Sequence, residues 1–477
     1  MRDSPEAGHA AAASMTSTSS PTRQLARFGV AAHAFPPLAR KRAVDAITDC
    51  IGCMLAGSRE PLAQPLLRVL PNASTRSANS PATLVGTSRY AAPADAALFN
   101  GAIAHALDYD DTNHPAYAHP SAVIVPALLA LASTTEVAGS ALVDAYIVGL
   151  EVFGKLGRAL NTAHYKRGWH ATATFGTLAA AVAAGRILRL DEAGMTMALG
   201  IAASSAGGLR ASFGTMVKPL HAGQAARNGV LAALLAREGF VGSDLILEKE
   251  YGYGPVFNAG LPQDFTEFAA LGERLEILSD YGLALKVYPS CGATHPGIEA
   301  AIALHRELDG EAIAHVRAGV CEMALAPLLY TMPNAPLEGK FSLHYCLAAA
   351  LLDGQVGLTT FTDEKIRDPR IRALIPNIAM EVEPALRDDT EFATTVTVAT
   401  VSGRRLERTV MLAAGKPARW LDVAQLRDKF SDCATRAWSA DAANALFEAL
   451  RELDGARSAA ALLQAMHAEA ARGQRAH

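Results

Sequence analysis

Between two apolar stretches the chain reads AHALDYDDTNHPAYAHPSAVIVP, from Ala104 to Pro126. Asp108, Asp110, Asp111, Thr112, His114 and His119 fall within twelve positions of that segment. Carboxylates, a hydroxyl and imidazoles crowded together can take, hold and return protons. A solvated connector would account for any one of them. The cluster as a whole points to function, because loops on rigid scaffolds concentrate sites.

A second pattern joins distant segments. His119-Pro120, Lys218-Pro219 and His295-Pro296 each set a basic side chain before a proline that opens an apolar run. Proline suits the first position of a helix, so each basic residue is expected at or near an N-cap. His170, after Trp169, likewise precedes a helical run. Helix N-termini favour anions and disfavour cations, by roughly 0.3–1 kcal/mol each. Singly, each is an ordinary loop-to-helix junction. Together they are locally unfavourable unless the helix ends share an anionic ligand, which points to a polycarboxylate pocket. The same field keeps a histidine neutral, as a general base requires.

Other chemistries lack a signature. Asp108, Asp110, Asp111, His114 and His119 are types that can hold a divalent cation, but no HExxH or similarly restrictive spacing occurs, so no metal is expected. There is no GxSxG, and Cys291 in YPSCGATH reads as a small buried residue near the site as readily as a nucleophile. No GxGxxG follows a strand and no Walker A sequence is present, so no nucleotide cofactor is expected.

The chain around these residues is 477 long, half apolar and 19% charged, with mean hydropathy +0.15. That length suits two or three domains, and that composition excludes global disorder. A formal charge of -4 leaves no bulk basic surface for nucleic acid. Aromatics at 6% argue against a base-stacking platform or an aromatic-lined terpenoid cavity. The six cysteines are scattered, as expected of reduced thiols in the cytoplasm, and the Cys50–Cys53 pair lies inside a periodic helical run. No stretch reads as a membrane span. The first 23 residues lack an apolar signal region and are read as a disordered tail in which Met15 is an alternative start. From Met15 the acid-free, Ser-rich stretch has a faint transit-peptide character.

Helical periodicity dominates from Leu25 to Leu285, with no convincing strand. A helix is expected after Pro36-Pro37, ending near Gly57, and further runs over Ala92–Leu107, Val123–Ala132, Ala141–Leu160, Ala173–Leu188, Asp191–Ala206 and Pro219–Glu238. After Lys286 the texture mixes. Helices are expected over Pro296–Arg306, Leu343–Leu352 and Asp363–Leu374, and strands over Ala314–Ala324, Ala379–Val382, Thr394–Thr400 and Leu406–Leu412. The last two strands flank Ser402-Gly403 as a hairpin. Val423–Ala470 is helical again. The expected fold is therefore mainly α with α+β: a discontinuous all-helical domain (24–285 and 416–472) with a smaller α+β lid domain (286–415) inserted.

HALDYDDTNHPAYAHPSAVIVPALLALA, GWHATATFG, FGTMVKPLHAGQAARNG, KVYPSCGATHPGIEA and EGKFSLHYCLAAAL stand in the order seen in the MmgE/PrpD family, and the chain resembles that family from about Gln24 to Arg472. The family includes 2-methylcitrate dehydratase, cis-aconitate decarboxylase and iminodisuccinate epimerase. The resemblance implies a discontinuous helical domain with an α+β lid, in a homodimer, needing no redox cofactor and generally no metal. It places Asp108, Thr112, His119, His170, Lys218 and His295 at the site, with His221 as a supporting or substrate-binding residue. The spacing from Thr112 to His119 resembles a generic bacterial branch. It is one residue longer than the decarboxylase pattern, while the dehydratase pattern lacks HPAYA.

What the resemblance implies is a cofactor-independent lyase acting on a small di- or tricarboxylate. His119 or His170 would move a proton α to a carboxylate. Lys218 and His295 would bind the carboxylates and stabilise developing charge, Asp108 would orient a histidine, and Thr112 would bond substrate or that histidine. A 2-methylcitrate dehydratase-like reaction is the expectation, with decarboxylation and epimerisation as alternatives. A catalytically silent carboxylate-binding protein is a more distant one. DxDDT also occurs in class II terpene cyclases, which the low aromatic content disfavours.

Overall fold

The computed structural model describes residues 20–71, 82–261, 263–387 and 391–475. Met15 and most of the expected tail lie outside them. Helix α1 (Pro21–Val30) begins inside the last residues read as tail, and the Ser20 hydroxyl caps it by accepting from the Arg23 amide.

Then come α2 (Pro37–Gly57), α3 (Ala63–Val69), and an antiparallel pair of β1 (Ala82–Thr83) with β2 (Tyr90–Ala91). Next are α4 (Pro93–Ala104), β3 (Thr112–Asn113), α5 (Ser121–Ala132), α6 (Gly139–Leu160) and one-turn α7 (Ala163–Lys166). They are followed by α8 (Ala171–Ile187), α9 (Glu192–Ser204), α10 (Val217–Arg237), α11 (Tyr253–Phe257) and β4 (Leu283–Ala284). The expectation of no strand before residue 285 is corrected by β1 to β4. Each has two residues, too few to show a period-2 pattern.

The mixed segment holds α12 (His295–Leu308), β5 (Ile313–Val320), α13 (Pro336–Gly339), α14 (Leu343–Asp353), α15 (Asp363–Ile366), α16 (Pro369–Leu374), β6 (Ile378–Val382), β7 (Thr394–Thr400) and β8 (Arg405–Val410). The expected helix over 363–374 is two. The residue before a proline is pushed out of helical backbone, and Asp368 there caps α16 instead. The sheet runs β6-β5-β7-β8, with β6 parallel to β5 and the rest antiparallel. Val316, Ala318 and Val320 alternate inward on β5 and meet Val396 and Val398 of β7 under α12 and α14. The chain ends in α17 (Val423–Ala434), α18 (Ala440–Arg451) and α19 (Ala459–Arg475).

The protein is thus mainly α with an α+β part. One apolar cluster combines residues from Leu25 to Leu285 with Leu421, Phe430, Phe447 and Met466, while a second runs from Ala293 to Val398. Domain boundaries near 285 and 415 are our proposal on that division. All residues of α5 and all but Arg186 of α8 are buried, so both read as apolar runs rather than amphipathic stripes. Helices α4 and α10 cross at Gly101 and Gly223, where a Cβ on Gly223 would stand 2.2 Å from the Leu98 carbonyl oxygen. All six cysteines are free thiols. Among the described residues no helix is long and apolar enough to cross a membrane.

Candidate active site

The loop after α4 and the starts of α5, α8 and α10 converge on a cavity of about 360 Å³, closed on its far side by the α+β part. Asp108, Thr112, His119, His170 and Lys218 line it, as does Cys291. His221 and His295 do not. His221 stands behind His170, their Nδ1 atoms 3.2 Å apart. His295 is buried with Nε2 at 3.3 Å from the Ser290 carbonyl, beneath the wall formed by Gly292 and Ala293.

The helix-start pattern holds in outline and is corrected in detail. Only His170 is a cap residue, and its side chain makes no capping bond. His119 precedes the cap Pro120, His295 is the first residue of α12, and Lys218 is the second of α10. The prolines lie at different places in the first turn: Pro120 is itself the cap of α5, Pro296 is the second residue of α12 and Pro219 the third of α10.

Asp108 anchors the constellation. It adopts left-handed backbone at φ 52°, which aspartate tolerates better than most residues. Its carboxylate accepts from the Lys218 ammonium on one oxygen and from Lys286 Nζ, at 2.9 Å, on the other. Lys286 also donates to the Asp108 carbonyl at 2.7 Å. Burial alone would raise the Asp108 pKa. The two ammonium groups outweigh it and hold the carboxyl well below the usual range.

His119 is held by its Nδ1, 2.8 Å from the Asp111 carbonyl oxygen and 3.4 Å from Asp110 Oδ2. Both neighbours only accept, so the ring proton sits on Nδ1 and Nε2 carries the lone pair. Nε2 is 3.8 Å from Asp108 Oδ1, on the cavity wall. Burial, with help from Lys286, pushes the ring pKa down to about 3. His170 is also driven well below its ordinary value by burial and Lys218, and its buried Nε2 has no hydrogen-bond partner. Asp111 differs from its neighbours. Burial pushes its pKa up to about 8, although it accepts from the Ser121 amide and hydroxyl.

Thr112 is placed by pairing of β3 with β4, Thr112 opposite Ala284. Arg210 lies over the Tyr165 ring at 3.8 Å and donates across to the Ala326 carbonyl of the α+β part at 3.2 Å. Lys166, Arg210, Lys218, Lys286 and Lys416 give the lining five cations against Asp108 and Glu322. His105, Asp108, Asp110 and His119 could present a divalent ion with four ligand atoms within 4.8 Å of one another. The Lys218 ammonium already stands on Asp108 and at 2.7 Å from His105 Nε2, so the donor set suits an ammonium rather than a metal.

Lys286, Arg210 and His105 were not singled out from the sequence. Lys286 opens KVYPSCGATHP, and a lone lysine at the head of an apolar segment was the clue available.

The MmgE/PrpD N-terminal domain matches residues 23–266 and the MmgE/PrpD C-terminal domain matches 288–454. The chain belongs to the MmgE/PrpD family. The second match takes in α17 and α18, which pack into the first apolar cluster. Cis-aconitate decarboxylase of Mus musculus is 32% identical over 320 residues, 65% of this chain and 65% of the mouse protein. The aligned part is thus just under two thirds of that relative's length. A cis-aconitate decarboxylase-like protein of Aspergillus oryzae is 30% identical over 362 residues, covering 70% of this chain and 73% of the relative. Cis-aconitate decarboxylase of Aspergillus terreus is 29% identical over 355 residues, covering 69% and 71%.

Proposed function

We propose that this MmgE/PrpD protein is a cofactor-independent lyase for a small di- or tricarboxylate, working by proton transfer next to a carboxylate. The observation that carries this is His119, fixed with an unprotonated Nε2 on a cavity lined by ammonium groups. The unpartnered Nε2 of buried His170 adds a second polar atom that a ligand would satisfy. Lys218 and Lys286 supply charge for substrate carboxylates and for the enediolate that forms on proton loss. A homodimer in the cytoplasm remains part of the proposal.

Decarboxylation of a cis-aconitate-type substrate comes first, because the relatives above bear that name. There the carbon–carbon bond to the departing carboxylate breaks. Its electron pair passes into the adjacent unsaturated carboxylate, carbon dioxide leaves, and one proton closes the carbanion, with the Lys218 ammonium on the cavity wall as its donor. Dehydration of the 2-methylcitrate type is the second reading, favoured by the neutral state of His119. Elimination needs a base to take the α-proton while the hydroxyl leaves with the carbon–oxygen pair and a proton from Lys218. Epimerisation would use the same base twice.

Purified protein in D₂O with cis-aconitate, 2-methylcitrate and iminodisuccinate, followed by proton NMR, tests this. Turnover of one names the reaction, and deuterium at the reacting carbon supports the proton step. Silence on all three, with citrate bound and unchanged, would favour a silent carboxylate-binding protein.

A further inference from the structure

His105 does not line the cavity and cannot touch a substrate. It follows α4 as its C-cap residue and is 1% exposed. Its Nδ1 lies 2.9 Å from both oxygens of Asp110, which is fully buried. Asp110 is held well below the usual carboxylate range because the Nδ1–H groups of His105 and His119 point at it and outweigh its burial. An ionised carboxylate only accepts, so the His105 proton sits on Nδ1 and Nε2 carries the lone pair. That lone pair is 2.7 Å from Lys218 Nζ, and an ammonium only donates.

Lys218 therefore has three N–H bonds with assigned directions. One goes to His105, one to Asp108, and the third is left for the cavity that Lys218 lines. The rings of Phe213 and Phe341, 5.5 and 5.4 Å from Nζ, hold the ammonium only by weak cation–π attraction and supply no oxygen or nitrogen acceptor. Of the other titratable groups facing the ammonium, burial lowers His119, His170 and His221 and raises the Cys291 thiol, so these add no charge of their own, while Lys286 shares Asp108 from its other oxygen. The same Asp110 stands 3.4 Å from Nδ1 of His119. One buried carboxylate thus sets the direction of both the ammonium and the base.

We propose that His105 and Asp110 are positioning residues: His105, locked by Asp110 as an Nε2 acceptor, aims the third Lys218 proton at the reacting substrate, and Asp110 steadies His119. This rests on the lyase reading given above. It adds a second tier to the site, in which polar groups that never meet substrate decide where those that do are pointed.

Two measurements test it. The first needs no substrate: ¹⁵N NMR of histidine-labelled wild-type protein, with His105 assigned by its loss in His105→Gln. The expected signature is a neutral ring protonated on Nδ1. The opposite tautomer, or an imidazolium at pH 7, overturns the inference whatever turnover shows. The second compares His105→Gln, whose carbonyl can still accept from Lys218, with His105→Phe, which keeps the ring shape and no acceptor. With the substrate turned over by wild type, kcat is expected to fall 10- to 100-fold in His105→Phe. Citrate affinity by calorimetry should stay within threefold, and His105→Gln should recover most of the loss. Equal kcat in wild type and His105→Phe overturns the inference and leaves the lyase reading standing. Equal losses in both variants also overturn it, as mere packing. Absence of turnover and of citrate binding in wild type overturns the lyase reading itself, and with it the role given to His105.

Discussion

The ammonium of Lys340 lies 2.6 Å from the Leu107 carbonyl and 2.9 Å from that of Pro289. Lys340 immediately precedes the segment leading into α14, in the second apolar cluster, whereas Leu107 ends the approach to the site loop after α4. One buried cation therefore ties the α+β part to the backbone beside Asp108. Burial drives its pKa down to about 8. Lys340→Met would leave two buried carbonyls unpaired and is expected to lose about 1–3 kcal/mol of stability by urea unfolding at pH 7. Between about pH 8 and the unfolded value of 10.5, the unfolded chain binds the proton that the folded one has shed. Wild type gains stability with rising pH there, and the gap to Lys340→Met should widen.

The state of His119 sets a kinetic expectation. His119→Ala should lower kcat of the proposed reaction by about 10²- to 10⁴-fold, the usual worth of a positioned base. Because the ring is neutral in the free protein down to about pH 3, kcat/KM should show no acid-side inflection between pH 5 and 7. An inflection near 6.5 that vanishes in His119→Ala would contradict the assignment.

Much of this site was legible because its residues break local rules. The basic residues before Pro120, Pro219 and Pro296 oppose the helix dipole, and two of the three, His119 and Lys218, line the cavity. His295 obeyed the same pattern but is turned toward the Ser290 carbonyl, a choice made by tertiary packing that no spacing records. His105 escaped notice because nothing in HALDYDD distinguishes its histidine from a core residue. Its meaning comes from Lys218, 113 positions away. The helices of the first part were visible from long periodic or apolar runs, whereas β1 to β4 are too short to leave a pattern. Parallel pairing of β5 with β6 was equally hidden, since it is set by the helices between them.

Buried neutral histidines predict an acid weakness. His164, fully buried with Nε2 at 2.8 Å from the Thr174 hydroxyl, and His295 are both pushed down to about 3 by burial. Below about pH 6.5 the unfolded chain takes protons that the folded one refuses. Each such ring then removes roughly 1 kcal/mol of stability per pH unit, until the folded value is reached. The melting temperature should fall steadily from pH 7 to pH 4. His164→Phe, which keeps the stacking with Phe175 and Phe257, should shallow that slope. An unchanged slope would assign the acid loss to other groups.

The crossing of α4 with α10 predicts a coupling between packing and chemistry. Gly101 and Gly223 let the two backbones approach so closely that a Cβ on Gly223 would stand 2.2 Å from the Leu98 carbonyl oxygen and 3.0 Å from the Ala102 amide nitrogen. Both are backbone atoms, so relief requires the helices to separate. Helix α10 carries Lys218 in its first turn, and α4 ends at His105. Separation would therefore stretch the 2.7 Å bond between them along with the core. Gly223→Ala is expected to cost about 1–3 kcal/mol by urea unfolding. In protein that remains folded, kcat should fall at least tenfold, because a misplacement of about 1 Å is enough for large catalytic losses. Gly455→Ala, where an added Cβ meets nothing, is the control and should leave both stability and turnover near wild type. A Gly223→Ala protein that is destabilised yet fully active would show that α4 and α10 can part without disturbing Lys218.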